Sequence, residues 1–221
     1  MRFRESAAAA FFVDRMIRRN LKARFRAIWW KPPVEPLPQP CILVANHHGW
    51  HDGYVMYRVA QELELPVVDW IAEFDAFPLF ASVGGMPFSP NKPEVRAATV
   101  LKTVRLLRAR RKNLVLFAEG VLHRPPEILP LGGSLAFLCR KAPEVHVVPV
   151  SIRYELSMHE RPECFVTFGR PIEGKSVDPE LVRGRLREQL SSPAEFQLLL
   201  MQGTLDVNER WDVRKFRIPK A

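Results

Sequence analysis

Long apolar runs are missing from this chain. The longest near its start, Ala7 to Val13, spans seven residues, far short of the roughly 20 that a membrane-crossing helix needs. No transmembrane helix is expected. The run passes straight into Asp14 and Arg15 rather than a small-residue cleavage site, which argues against a secretory signal. Cysteine is scarce too: Cys41, Cys139 and Cys164 are odd in number, far apart and set among apolar neighbours. They read as reduced core thiols of a cytoplasmic protein, and without Cys-x-x-Cys spacing neither a redox pair nor a thiolate metal site is expected. A Gly-x-Ser-x-Gly elbow is absent and no cysteine has a catalytic setting, so no protein nucleophile stands out. No internal repeat is visible.

What is present is a chain of 221 residues, 47% apolar and 26% charged, long enough for one domain of moderate size with a substantial core. Its net charge of +9 implies an anionic partner. Most of the excess lies in residues 1–31, where nine bases face two acids. Read as a helix, residues 11–30 place Arg15, Arg19, Lys22 and Arg26 at i, i+4, i+7 and i+11, with Val13, Ile17, Leu21, Phe25 and Ile28 on much of the opposite arc. A basic amphipathic helix over residues 1–31, ending in Trp29 and Trp30, suits a membrane interface and predicts a peripherally attached protein; the plainer reading is a helix packed on its own domain. The body lacks the aromatic-basic interleaving that single-stranded nucleic acid needs, so no nucleic-acid partner is expected.

Five prolines within residues 32–40 predict a stiff extended linker. From residue 41 to 221 the chain reads as an α/β domain. Strand patterns at 41–45, 66–72, 113–118, 145–153 and 164–168 alternate with helical ones at 53–63, 94–111, 134–141 and 179–200, which predicts a mostly parallel central sheet flanked by helices. The stretch 207–221 has no clear assignment.

In open α/β sheets ligands bind beyond the carboxyl ends of the strands. The first strand of the domain runs into Asn46, His47, His48, Gly49, Trp50, His51 and Asp52, and the strand at 113–117 runs into Ala118, Glu119 and Gly120. Imidazole takes a proton from a hydroxyl near neutral pH, and a carboxylate on its other nitrogen fixes the tautomer. His47 and Asp52 supply that pair if a turn brings them together. With no protein nucleophile, such a pair suits direct transfer to an activated acceptor from a donor with a good leaving group, such as a thioester.

At these residues the chain resembles the glycerolipid acyltransferase family, whose Asn-His-x4-Asp block is matched by Asn46, His47 and Asp52. Phe117-Ala118-Glu119-Gly120 is similar to its Phe-Pro-Glu-Gly block, Pro130 to Phe137 with Gly133 to its glycine turn, and Val147-Val148-Pro149-Val150 to its last strand. The resemblance implies transfer of a fatty acyl group from acyl-CoA or acyl carrier protein, used as substrates with no bound cofactor, to a lipid hydroxyl. His47 would be the general base, Asp52 its orienting partner, and Asn46, Glu119 and Gly120 part of the substrate site.

The departures are specific. The Asp-Arg of the second block falls on Pro90 and Asn91, and the Thr-Arg after Glu-Gly is Val121 and Leu122. Neither neutral pair reproduces the bidentate clamp that arginine offers a phosphate. Lys92 and Arg124 stand nearby as replacements, and a non-phosphorylated lipid acceptor is the alternative to a lysophosphatidate-like one. A catalytically inactive lipid-binding member of the fold is a further reading. The same stretch resembles the His-His-x3-Asp-Gly motif of condensation enzymes, in which His48 would be the base. No metal is expected, because His47, His48, His51 and Asp52 have no second histidine cluster to complete a zinc set. The aromatic segment from Phe74 to Phe88 supplies either core or an acyl slot.

Overall fold

Strand β2 (Cys41–Ala45) is apolar throughout and buried at every residue, as a parallel strand covered on both faces must be. Residues 6–156, 158–192 and 197–210 are described by the computed structural model; Arg2, Arg4 and the unassigned residues 211–221 lie outside them. On one side β2 pairs in parallel with β5 (Asn113–Leu116), which pairs with β3 (Val67–Ile71), itself paired with β4 (Gly85–Pro87). On the other side β2 pairs in parallel with β6 (His146–Glu155). β7 (Glu163–Phe168) then joins β6 antiparallel, followed by β1 (Ala27–Lys31) and β9 (Leu198–Gln202), in the order β4-β3-β5-β2-β6-β7-β1-β9. A short β8 (Ile172–Glu173) also pairs with β6. The sheet is mostly parallel, as expected.

The period of two divides each strand between two cores. Cys41, Leu43 and Ala45 meet α1 (Ala7–Arg24) and α2 (Asp52–Glu62), whereas Ile42 and Val44 meet α3 (Pro93–Arg108), α4 (Gly133–Lys141) and α5 (Pro179–Ser191). Burial pushes the Cys41 thiol up to about 12 and that of Cys139 up to about 11. Both are therefore protonated, apolar-acting side chains near neutral pH.

The N-terminal segment departs from its expected form. The Ser6 hydroxyl caps α1 by accepting from the Ala9 N–H at 3.2 Å, and the helix ends at Arg24, where Phe25 turns extended. Trp29 and Trp30 do not end a helix; they lie in β1, paired in parallel with β7 and antiparallel with β9. The β-branched and aromatic run Ile28-Trp29-Trp30 favours a strand once partners exist. Trp29 Nε1 donates to Glu163 at 2.9 Å, which fixes the indole.

The apolar arc Val13, Ile17 and Leu21 is fully buried in the domain core, where each side chain contributes about 2 kcal/mol. The side of α1 turned to solvent carries Phe11 and Phe12, 68% and 55% exposed, followed by the exposed Arg15, Arg19 and Lys22. Residues 32–40 are irregular and connect β1 to β2, two members of one sheet separated by β7 and β6. Prolines suit this crossing, which must span three strand spacings of about 4.8 Å without pairing. The helix expected over 179–200 ends at Ser191, and Leu198–Gln202 is the edge strand β9. Its pairing with β1 overrides the local helical pattern. Among the described residues no helix is long and apolar enough to cross a membrane.

Candidate active site

The loop after β2 turns back on itself before α2 begins. Asp52, the first residue of α2, is fully buried, and its charge lies at the positive end of the helix dipole. Its Oδ2 accepts from His47 Nδ1 at 3.0 Å and from the Gly49 N–H at 2.9 Å, while Oδ1 accepts from the Tyr154 hydroxyl. Because a carboxylate only accepts, the His47 proton sits on Nδ1, leaving Nε2 with a free lone pair. Nε2 has no partner among the described residues, and the ring stacks on Phe117 with centroids 4.6 Å apart. The turn needed to join His47 to Asp52 is thus present, and the pair is oriented as a general base requires.

Tyr154 is a member of this group that sequence reasoning missed. It stands on β6, more than 100 residues from Asp52, and only the pairing of β6 beside β2 brings it there. Burial pushes its phenol well above the usual range, so it stays a hydrogen-bond donor. Gly49 lies directly against it: a Cβ there would collide with the Tyr154 ring. Gly49→Ala should therefore displace Tyr154 from Asp52 and cost about 1–3 kcal/mol of stability. A shift in the His47–Asp52 geometry should also lower turnover about 10- to 100-fold. Thermal melts and steady-state rates on one preparation check both, and a variant with wild-type turnover would count against the role of Tyr154.

Asn46 and Glu119, expected among the substrate contacts, are buried and otherwise employed. Asn46 Oδ1 accepts from the Ile152 N–H at 2.7 Å and its Nδ2 donates to the Ile152 carbonyl at 2.9 Å. It clamps the end of β2 to β6 where the ladder stops. Glu119 Oε1 accepts from the His47 N–H at 2.9 Å; its Oε2 accepts from the Leu129 N–H at 2.6 Å and faces His123 Nε2 at 2.5 Å. With its side chain fully sealed from solvent, it joins three loop segments and positions the loop that bears His47. Gly120 is exposed with φ +76, a left-handed turn that glycine adopts without strain.

Lys92 and Arg124 are placed differently. Lys92, just before α3, is paired with Asp75 at 2.8 Å. Arg124 is exposed and follows His123, whose N–H donates to the His47 carbonyl at 3.1 Å. The loop bearing Arg124 is therefore tied to the loop that bears His47, whereas the charge of Lys92 is already answered. Val121 and Leu122, in place of the Thr-Arg, are exposed.

His48 is not a free base. Its Nε2 lies 2.7 Å from the Glu127 carbonyl and its Nδ1 lies 3.1 Å from Asn46 Nδ2. His48, Glu119 and His123 present donor atoms close enough to share a metal ion, but each of those groups is already hydrogen-bonded within the loops. His51 Nε2 meets Asn20 Oδ1 at 3.0 Å and ties α1 to the start of α2. Burial, aided by the charge of Arg24, lowers its pKa and favours the neutral ring.

Beside His47 opens a slot of about 490 Å³, lined by Met56, Val67, Phe77, Phe80, Val83 and Phe117 among others. The aromatic segment 74–88 is divided: Phe77 and Phe80 line the slot, Phe88 stacks on Trp70 at 4.4 Å, and Met86 is core. The site thus joins an oriented imidazole to an apolar groove.

Comparison with known proteins bears on the family and the fold. A family model described as Acyltransferase matches residues 33–153. The crystal structure of the 1-acyl-sn-glycerophosphate (LPA) acyltransferase PlsC from Thermotoga maritima is similar over 86% of this chain and 82% of that one, with a TM-score of 0.60 and 18% identity. At that identity the likeness is one of fold. No curated protein matches the chain.

Proposed function

Because this chain belongs to the acyltransferase family, we propose that it moves a fatty acyl group from a thioester donor, acyl-CoA or acyl carrier protein, to a hydroxyl of a lipid acceptor. The observation that carries the reading is the His47–Asp52 pair, 3.0 Å apart, with Nε2 free beside an apolar slot. In the step this supports, His47 Nε2 takes the acceptor hydroxyl proton as the oxygen attacks the thioester carbonyl. Asp52 stabilises the imidazolium that forms. The C–S bond then breaks, and the departing thiolate takes the proton from His47, leaving an ester and a free thiol. The slot receives the acyl chain.

The acceptor is lysophosphatidate-like or a non-phosphorylated lipid. Exposed Val121 and Leu122 and the paired Lys92 leave Arg124 as the cation for a phosphate, and they favour an acceptor that needs no arginine clamp. Incubation with acyl-CoA and a total lipid extract, followed by mass spectrometry, tests the reading. One lipid should gain acyl mass only when the thioester is present. Absence of any thioester-dependent product would instead support a lipid-binding protein without turnover.

The outward face of α1 supports docking to an anionic membrane. Phe11 and Phe12 would enter the interface, and Arg15, Arg19 and Lys22 would meet the headgroups, each worth about 1 kcal/mol near such a surface. Removing residues 1–31 is no clean test, because β1 and the buried side of α1 belong to the fold. The double variant Phe11→Ser with Phe12→Ser leaves the core untouched and should weaken co-sedimentation with phosphatidylglycerol vesicles at least about tenfold. Unchanged sedimentation would sink the docking reading.

A further inference from the structure

Two carboxylates line the slot beside His47: Glu73 is exposed, whereas Asp69 is set among apolar walls that it does not match. Asp69 stands in the middle of β3, on the same face as Val67 and Ile71, and all three line the slot. Its Oδ1 is buried without a hydrogen-bond partner among the described residues. Oδ2 is turned toward Gly53, another lining residue, 3.7 Å from where a Cβ on that glycine would sit. Burial pushes the carboxyl up to about 7, opposed by the Trp70 backbone N–H. Gly53 follows Asp52, the partner of His47, so Asp69 faces the end of the slot at which His47 stands.

Nothing in the fold requires a carboxyl there. Aspartate is disfavoured in strands, and its neighbours Val67 and Val68 show what β3 otherwise uses. An unpaired buried carboxyl oxygen opposes folding. Groups of this kind are retained where a ligand completes them. A plain methylene chain in the slot would cover the carboxyl and pair with nothing. A hydroxyl both donates and accepts, so it satisfies Asp69 whether the carboxyl is protonated or ionised. An ammonium would satisfy only the ionised form and would itself have to be stripped of water in an apolar groove.

We propose that Asp69 is a specificity-determining residue that selects acyl chains carrying a hydroxyl near the reacting carbonyl, on the second or third carbon. The proposal rests on the reading of the slot as the acyl site, and binding without an acceptor separates the two. Calorimetric titration of the whole protein with palmitoyl-CoA, 2-hydroxypalmitoyl-CoA and 3-hydroxypalmitoyl-CoA should show one hydroxylated chain binding about tenfold more tightly than the plain one. Asp69→Val should reverse that order. Asp69→Asn, which keeps a donor and an acceptor, should retain part of the preference and guards against a variant that fails to fold. Equal or weaker binding of both hydroxylated chains by the wild type overturns the proposal, and so does a preference that survives in Asp69→Val. An equal gain with 16-hydroxypalmitoyl-CoA, whose hydroxyl lies at the far end, overturns it as well. A binding preference without transfer to any lipid upholds the role of Asp69 and overturns the transfer reading; transfer without a preference does the reverse.

Discussion

Replacing His47 by alanine should lower acyl transfer about 10²- to 10⁴-fold without disturbing the fold. The imidazole is partly open to the slot, and its removal leaves Asp52 still bonded to the Gly49 N–H and the Tyr154 hydroxyl. The buried carboxylate thus keeps two of its three partners, and the start of α2 should hold its place. Single-turnover rates with acyl-CoA and the lipid identified from the extract measure the loss, and near-ultraviolet circular dichroism checks the fold. His48→Ala is the informative companion, because both nitrogens of His48 are already engaged and neither is available to a substrate. Should His48→Ala abolish transfer while His47→Ala keeps it, the base has been assigned to the wrong ring.

Glu119→Gln should be damaging in a different way. Both carboxylate oxygens of Glu119 accept from backbone donors, those of His47 and Leu129, and Oε2 also meets His123. An amide replaces one acceptor by an NH₂ group, so in either orientation a buried N–H faces another donor. Leaving such donors unpaired, and losing the stronger bonds made to a charged acceptor, should cost about 3 kcal/mol. The His47 N–H is one of them, so turnover should fall as well. Urea unfolding measures the first effect as a lower midpoint at unchanged slope. A midpoint equal to that of the wild type would show that the three loop segments do not depend on this carboxylate.

How much of this was legible in the sequence depends on how far each feature reaches along the chain. β2 matched its expected bounds of 41–45 because a five-residue apolar run carries its own signal for a strand covered on both faces. His47 and Asp52 were legible because five residues and one turn separate them. Glu119 was visible as a residue but its bonds to the backbone N–H groups of His47 and Leu129 were not, since those partners lie far away in the chain or across a loop. The clamp that Asn46 makes to Ile152 was equally silent in the sequence. Tyr154 and Asp69 had no local signal at all, since each acquires its meaning from the strands beside it. The first 31 residues show the opposite failure. Their amphipathic pattern was real, but periodicity does not say whether an apolar arc faces a bilayer or the protein's own core, and here Val13, Ile17 and Leu21 face the core. Strand β1 and the edge strand β9 escaped notice because their pairing lies far away in sequence.

That distance matters for how the protein is made. β1, at residues 27–31, finds its parallel partner only at residues 163–167 and its antiparallel partner only at 198–202. Synthesis delivers about 5–20 residues per second, so Ile28, Trp29 and Trp30 are translated well before either neighbour exists. Over that interval a β-prone aromatic segment is available to other chains, and long-range pairings of this kind close slowly. The sheet edge that completes the fold is therefore the point at which a nascent chain is most exposed to aggregation, and slower folding should be most harmful there.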